Sequence, residues 1–197
     1  MASSFQYFQD SGLTLPLTTK SLLHSDTGST DPQDFIMYIG SNTAGVKIED
    51  ESSPGSGQIV LSIANATADW VALTAYALNN VVKSVVKNGY KFQASVGGTS
   101  GASEPAWDLT IGNDTVDGTV TWTNAGKVHE NTEMKLALSA IDLDTAVGGD
   151  DLDLGVSILS EVAQALPVHV RVDEDTETIG IETELQFQTT GILESVQ

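Results

Sequence analysis

The sequence predicts an all-β fold in which one β domain is split by an inserted small β module. The chain has 197 residues, 40% of them hydrophobic, and 18 glycines, with many Thr, Ser and Val residues. This composition favours turn-rich β structure over helix bundles. Short segments with alternating apolar residues recur on both sides of a central block of different composition, which indicates strands joined by polar turns.

The first predicted strand is an apolar run at residues 35–39, which follows a polar loop at residues 24–34. Two further segments, at residues 45–50 and 58–65, are separated by a turn-rich stretch. The second of these segments alternates at Ile59, Leu61 and Ile63. The pattern predicts a half-buried strand.

Four more alternating segments follow residue 127. Their periodic positions are, in order, Met134, Leu136 and Leu138; Leu154, Val156 and Ile158; Val168, Val170 and Val172; and Ile179, Ile181, Thr183, Leu185 and Phe187. A helical turn at residues 162–166, just before Pro167, is an alternative for the intervening stretch. The acidic run at residues 173–177 is expected to form a charged hairpin tip, where like charges discourage pairing between sheet edges.

The central block contains all three tryptophans, Trp70, Trp107 and Trp122. Residues 68–125 have three lysines and five acidic residues, a charge of −2, so −17 of the total of −19 lies on the flanks. Insertions are tolerated at exposed loops of a host domain. The predicted organisation is therefore an N-terminal arm at residues 1–20, a host domain at 21–67 plus 127–197, and an inserted module at 68–126.

Within the block, residues 69–90 could form a helix, because several apolar residues have helical spacing. The paired β-branched residues and the Asn88-Gly89 turn signal favour a hairpin instead. We expect residues 81–86 to lead into this turn and residues 90–95 to return from it.

The charge excludes several functions. With 27 acidic and 8 basic residues, most of the surface would repel nucleic acid and anionic lipid, so neither is an expected partner.

The absence of cysteine excludes disulfides, thiolate catalysis and Cys-ligated zinc. No apolar run approaches the length of a membrane span, and no signal peptide is evident, so synthesis in the cytoplasm of the producing cell is expected.

A set of motifs in the block resembles a small module found in tailed-bacteriophage virion proteins, and more loosely the chitin-binding type of carbohydrate-binding module. The motifs are Trp70, TAYALNNVV, NGYKFQAS, GGTSGASEPAW and DGTVTW. Asn79-Asn80 stands where those modules usually have Gly-Asp, a turn position that Asn tolerates. The flanks resemble a phage structural domain more faintly, which implies an Ig-like or related β-sandwich.

The resemblance implies a non-enzymatic virion protein that decorates or cements a capsid through subunit contacts and displays an outward module. Its implied partners are other virion proteins, either major capsid or tail proteins, and further copies of itself, with a host surface glycan as a possible ligand. A neck, tail or baseplate component and a glycan-binding attachment protein remain as alternatives. An enzyme would need two suitably spaced carboxylates in a cleft, and no cofactor is expected.

The proposed functions single out several candidate site residues. Trp107, Tyr76 and Tyr90 are the candidate sugar-stacking residues, whereas Trp70 and Trp122 are expected in the module core. The aromatic residues of the N-terminal arm, Phe5, Tyr7 and Phe8, are the candidate interface anchors.

The acidic loop at residues 141–155 is the one metal-site candidate. Its oxygen ligands suit calcium, but their spacing does not match an EF-hand. The acidic side chains are Asp142, Asp144, Asp150, Asp151 and Asp153. The three histidines are far apart in sequence, and the Gly-rich stretch at residues 97–105 lacks a phosphate-binding fingerprint.

Overall fold

The chain is all-β, as the sequence predicts. The structure, a computed structural model, describes residues 3–21, 32–173 and 184–197. Most of the predicted loop at 24–34 and of the charged hairpin tip at 173–177 lies outside these ranges. Short 3-10 helices occur at Asn131–Glu133, Asp142–Asp144 and Val162–Gln164, and the last coincides with the predicted helical turn.

The strands are, in chain order, β1 Gln6–Phe8, β2 Gln33–Gly40, β3 Val46–Asp50, β4 Val60–Asn65, β5 Ala68–Asp69, β6 Ala75–Tyr76, β7 Val81–Lys83, β8 Tyr90–Val96, β9 Gly98–Thr99, β10 Asp114–Asp117, β11 Val120–Lys127, β12 Met134–Ala137, β13 Leu152–Asp153, β14 Ser157–Leu159, β15 Leu166–Val172, β16 Leu185–Thr189 and β17 Ile192–Val196.

The chain divides into two compact units. The first comprises residues 1–64, 131–175 and 187–197, and the second comprises residues 65–130 and 176–186. No helical segment in the described part of the chain is long and apolar enough to cross a membrane.

The first unit is built from three antiparallel sheets. Their strand orders are β1-β2-β15-β12, β13-β4-β16 and β14-β3-β17. Strand β15 shows the expected alternation, because Val168, Val170 and Val172 are buried while His169 and Arg171 point to the opposite face and are half-buried.

The apolar core of the first unit is formed by inward-facing residues of several strands and of the N-terminal segment. Its buried members are Phe5, Phe8, Leu13, Met37, Ile39, Ile48, Ile59, Leu61, Ile63, Met134, Leu136, Ala137, Leu143, Leu154, Ile158, Val168, Val170 and Val172. Most were identified by alternation in the sequence. Phe5, Phe8 and Leu13 come instead from the predicted N-terminal arm, of which residues 6–8 form β1 and pair with β2.

The second unit contains the five-stranded sheet β10-β11-β8-β7-β5 and the pair β6-β9. The predicted hairpin is confirmed: β7 and β8 are antiparallel, with Val81 opposite Gln93 and Val82 opposite Phe92. Its first strand ends at Lys83, earlier than expected. Gly89 has a φ of +76°, the left-handed conformation that the Asn88-Gly89 turn provides at little cost.

Candidate functional site

The aromatic motif residues meet in one cluster on a single face of the five-stranded sheet. Alternation along β8 points Phe92 and Ala94 inward, and Trp122 on β11 lies opposite Ala94. Trp70, Val82 and Val120 complete the buried cluster, and its partly buried neighbours are Ala72, Tyr76, Tyr90 and Trp107. The prediction that Trp70 and Trp122 belong to the core is confirmed, since they are 6% and 0% exposed.

A buried carboxylate holds two of the tryptophans together. Asp117 is 4% exposed. Its Oδ2 accepts hydrogen bonds from Trp70 Nε1 at 2.8 Å and Trp122 Nε1 at 3.1 Å. Its Oδ1 accepts one from the backbone amide of Gly101 at 2.7 Å. Three donors thus surround a carboxylate that would be very costly to bury without partners.

Sequence reasoning missed this role of Asp117. In sequence the residue precedes Gly118 and is typical of a tight turn, and the structure does place it at the end of the β10–β11 hairpin, opposite Val120. The available signal was the Trp that follows five residues later in the DGTVTW motif. Only the fold brings Trp70 to the same oxygen.

The turn after Asp117 requires glycine for two reasons. Gly118 has a φ of +61°, and a Cβ there would lie 2.4 Å from the carbonyl oxygen of Thr99. The close approach allows residues 99–101 to pass beside the hairpin, where the Gly101 amide reaches Asp117.

Trp107 is held against the buried cluster by a second carboxylate. Its ring stacks on Phe92 with centroids 3.9 Å apart and an interplanar angle of 17°, and it meets Trp122 edge-on at 6.0 Å. Its Nε1 donates to Glu104 Oε1 at 2.8 Å. The same oxygen accepts from Ser84 Oγ at 2.6 Å and from the Val85 amide at 2.9 Å.

Glu104 therefore ties the hairpin loop to Trp107. Burial alone would raise the pKa of Glu104, but the hydrogen bonds from Ser84, Trp107 and the amides of Val85 and Val86 outweigh burial and hold the pKa below its ordinary value.

The two tyrosines proposed as sugar contacts are also engaged within the unit. Tyr76 packs edge-on against Trp122 with centroids 4.8 Å apart, and its hydroxyl accepts from the Val71 amide at 2.8 Å. Tyr90 has Lys127 Nζ over its ring at 4.1 Å. Tyr76 and Trp107 thus meet at Trp122 as packing partners. Sugar stacking needs a free ring face, so the assignment of Trp107, Tyr76 and Tyr90 as sugar contacts stays a prediction.

The predicted interface aromatics lie in the first unit. Phe5 and Phe8 are buried, and Tyr7 is half-buried. The Tyr7 hydroxyl donates to Thr189 Oγ1 at 3.3 Å, and its ring lies 6.2 Å from that of Phe187. Burial raises the pKa of Tyr7, opposed by the hydrogen bond with Thr189. A subunit contact through Phe5 and Phe8 would require the segment to leave β2, because both side chains are buried.

Two carboxylates of the acidic loop accept hydrogen bonds from protein groups. Asp144 Oδ1 accepts from Arg171 Nη1 at 2.8 Å, and Asp142 Oδ2 accepts from Ser139 Oγ at 2.7 Å. Asp150, Asp151 and Asp153 are exposed. Among the residues that the structure describes, no group of three acidic or histidine side chains could hold a metal ion.

An open cleft of about 410 Å³ in the first unit is lined partly by Asp50, Glu51 and Ser52. Asp50 Oδ1 accepts from the amide and the hydroxyl of Ser52, both at 2.7 Å. Those hydrogen bonds lower the pKa of Asp50. Its carboxylate is therefore committed to the local turn.

The two ends of the 65–130 segment lie side by side. Asn65 Nδ2 donates to the carbonyl of His129 at 2.7 Å. Glu184 bonds to both ends of this segment. Its Oε2 accepts from the His129 amide at 3.0 Å, and its carbonyl accepts from the Ala66 amide at 2.6 Å. Glu184 Oε1 also pairs with Lys91 Nζ at 2.5 Å. The chain thus enters and leaves this segment at one point.

Comparison with protein-family models, with curated proteins and with solved structures gives no match for this chain.

Proposed function

We propose that this chain is a non-enzymatic structural protein of a tailed-bacteriophage virion, which decorates the capsid through subunit contacts and presents its second unit on the particle surface. The first unit has the role of an Ig-like or related β-sandwich host in this proposal. The second unit is the inserted module.

The observation that carries the proposal is the closed entry and exit of the 65–130 segment. Asn65 and His129 are joined by a hydrogen bond of 2.7 Å, and the segment has its own buried aromatic cluster. A unit with adjacent ends and its own core can be inserted into a loop of another domain without disturbing it.

The motif residues give further support. Three of the positions by which the block resembles the phage module, Trp70, Asp117 and Trp122, build the core of the second unit. The resemblance is therefore one of packing, which favours a structural module over a sugar-binding surface.

The charge also suits a protein present in many copies. A net charge of −19 keeps a chain of 197 residues soluble at high local concentration. Weak contacts repeated over a shell would then supply affinity through multivalency.

Immunogold electron microscopy tests the proposal. An antibody against the purified chain is applied to intact phage particles from the strain that encodes it, with particles lacking the gene as control. Gold over the shell supports capsid decoration. Gold on the neck, tail or baseplate supports a virion role and overturns decoration. Particles of both strains without gold overturn the proposal.

A further inference from the structure

The N-terminal strap, defined here as residues 3–17, is attached to the first unit by contacts with residues far away in sequence. Its strand β1 is the edge strand of the sheet β1-β2-β15-β12. It pairs antiparallel with β2 through Gln6 and Gly40, Tyr7 and Ile39, and Phe8 and Tyr38. Removing an edge strand leaves the pairing of β2 with β15 intact.

Three apolar side chains anchor the strap. Phe5, Phe8 and Leu13 are 9%, 5% and 1% exposed. Leu13 lies so close to Gly40 that a Cβ on this glycine would meet Leu13 Cδ1 at 2.7 Å. The strap thus fills a specific apolar site at the edge of β2, and the site would expose core residues if it were empty.

A polar clamp fixes the start of the strap. Glu194 Oε2 accepts from Ser3 Oγ at 2.9 Å and from the Ser4 amide at 2.6 Å, and its Oε1 accepts from Ser4 Oγ at 2.9 Å. Ser4 Oγ also lies 2.7 Å from Ser41 Oγ, and Ser41 is 0% exposed. Glu194 and Ser41 therefore recognise the strap independently of its connection to β2.

That connection is long. Residues 18–32, fifteen in number, join the strap to β2, whereas antiparallel neighbours are commonly joined by two to five residues. Fifteen extended residues span up to about 50 Å. The covalent link therefore does not restrict the strap to the β2 edge of its own chain.

Charge opposes close approach of two copies but not transfer of the strap. Each chain carries −19, yet residues 1–20 contain one acidic residue, Asp10, and one basic residue, Lys20. A connection of up to about 50 Å also exceeds the screening length of about 8 Å at physiological ionic strength. The strap itself carries a single charge, that of Asp10, so it can reach a neighbour while the acidic bodies stay apart.

We propose that the strap is exchanged between copies, so that residues 3–17 of one chain occupy the β2 edge of a second copy of this chain. The contacts of the exchanged form are those of the closed form, so exchange needs no additional surface. Phe5, Tyr7 and Phe8 then become interface residues. The inference concerns the purified chain and does not depend on the proposed virion role.

Single-cysteine variants test the exchange, because the chain has no cysteine of its own. Ser4→Cys and Ser41→Cys proteins, one of them labelled with ¹⁵N, are unfolded, mixed, refolded together at high protein concentration and oxidised. Exchange is expected to give a covalent heterodimer of about 41 kDa, twice the chain mass of 20.7 kDa, in excess of either homodimer. The Ser4→Cys/Ser41→Cys double variant, refolded dilute, is the positive control for an intrachain disulfide.

Two variants and a matched control show whether the strap site forms the dimer. Phe8→Ala in the Ser4→Cys chain and Glu194→Ala in the Ser41→Cys chain should each remove most of the heterodimer. Leu15→Ala, which alters a strap residue that is 57% exposed, should leave the yield unchanged. No heterodimer, or a yield that neither Phe8→Ala nor Glu194→Ala reduces, overturns the inference; far-UV circular dichroism confirms that the variants fold.

Discussion

At the residue scale, two carboxylates organise the aromatic cluster. Asp117 joins Trp70 and Trp122, and Glu104 joins Trp107 to the loop after β7. Indole N–H groups need acceptors when they are buried, so each acid satisfies donors that would otherwise be unpaired. All three tryptophans lie in the second unit, which makes tryptophan fluorescence a selective probe of that unit.

Replacing the buried Asp117 should destabilise the second unit strongly. We expect Asp117→Ala to lower its free energy of unfolding by about 3–5 kcal/mol, because two indoles and an amide lose their acceptor. Asp114→Ala on the same strand changes an exposed residue and should cost less than about 1 kcal/mol. Urea unfolding followed by tryptophan fluorescence measures both. Equal losses would contradict the role assigned to Asp117.

Trp107→Ala should behave as a core variant. The ring is stacked on Phe92, so its removal should cost about 2–4 kcal/mol in the same fluorescence assay. A sugar-binding platform would behave differently: the wild-type chain would bind on a glycan array, and Trp107→Ala would lose that binding with an unchanged unfolding midpoint.

Glu104 should make the free energy of unfolding of the second unit decrease at acidic pH. Its pKa in the folded chain is below its ordinary value of 4.5, so its stabilising effect is complete above that value and is lost as the pH falls through the folded-state pKa. Glu104→Gln should therefore be less stable at neutral pH and lose less stability on acidification below about pH 5. Urea unfolding midpoints of the wild type and Glu104→Gln, measured between about pH 3 and about pH 7, test this prediction. If the two midpoints change in parallel with pH, Glu104 is not the source of the acid sensitivity.

At the element scale, the short strands of the second unit are held in place by turns. The β10–β11 hairpin lies beside residues 99–101 only because Gly118 has no side chain. The predicted hairpin of β7 and β8 shows a related dependence, since its loop is held by Glu104 and not by strand pairing alone.

Two glycines separate the effect of crowding from that of backbone conformation. Gly118 and Gly112 have φ values of +61° and +84°, but a Cβ would meet the Thr99 carbonyl only at Gly118, with nothing within 4 Å at Gly112. Gly112→Ala should cost about 1 kcal/mol, for conformation alone. Gly118→Ala should cost at least about 2 kcal/mol more because the backbones must separate. Similar unfolding midpoints would show that the close approach is unimportant.

At the scale of the whole molecule, each compact unit has its own buried core. The second unit owes its boundary to long-range contacts, because Glu184 bonds to residues 66, 91 and 129 across more than fifty residues of sequence. A division at residues 68 and 126 was expected from composition alone, and the contacts place the compact unit at 65–130 with an added segment at 176–186.

The two cores should respond separately to mutation. Val168→Ala removes volume from a 0% exposed position of the first unit. It should lower the midpoint of the far-UV circular dichroism transition that is not accompanied by a change in tryptophan fluorescence. It should leave the tryptophan fluorescence midpoint within error, because distant independent sites contribute additively. Asp117→Ala should lower the tryptophan fluorescence midpoint and leave the transition of the first unit unchanged. A single transition shifted equally by both variants would instead establish one cooperative unit.

The sequence by itself determined the all-β class, the apolar faces of most strands, the hairpin at Asn88-Gly89 and the burial of Trp70 and Trp122. These follow from local rules, because a strand alternates every two residues and a turn requires particular residues at particular positions. The tertiary structure alone decided which side of β2 receives Phe5 and Phe8, and that Asp117 and Glu104 face indoles instead of solvent. Such partners lie tens of residues away, and no local pattern specifies which distant strands will meet.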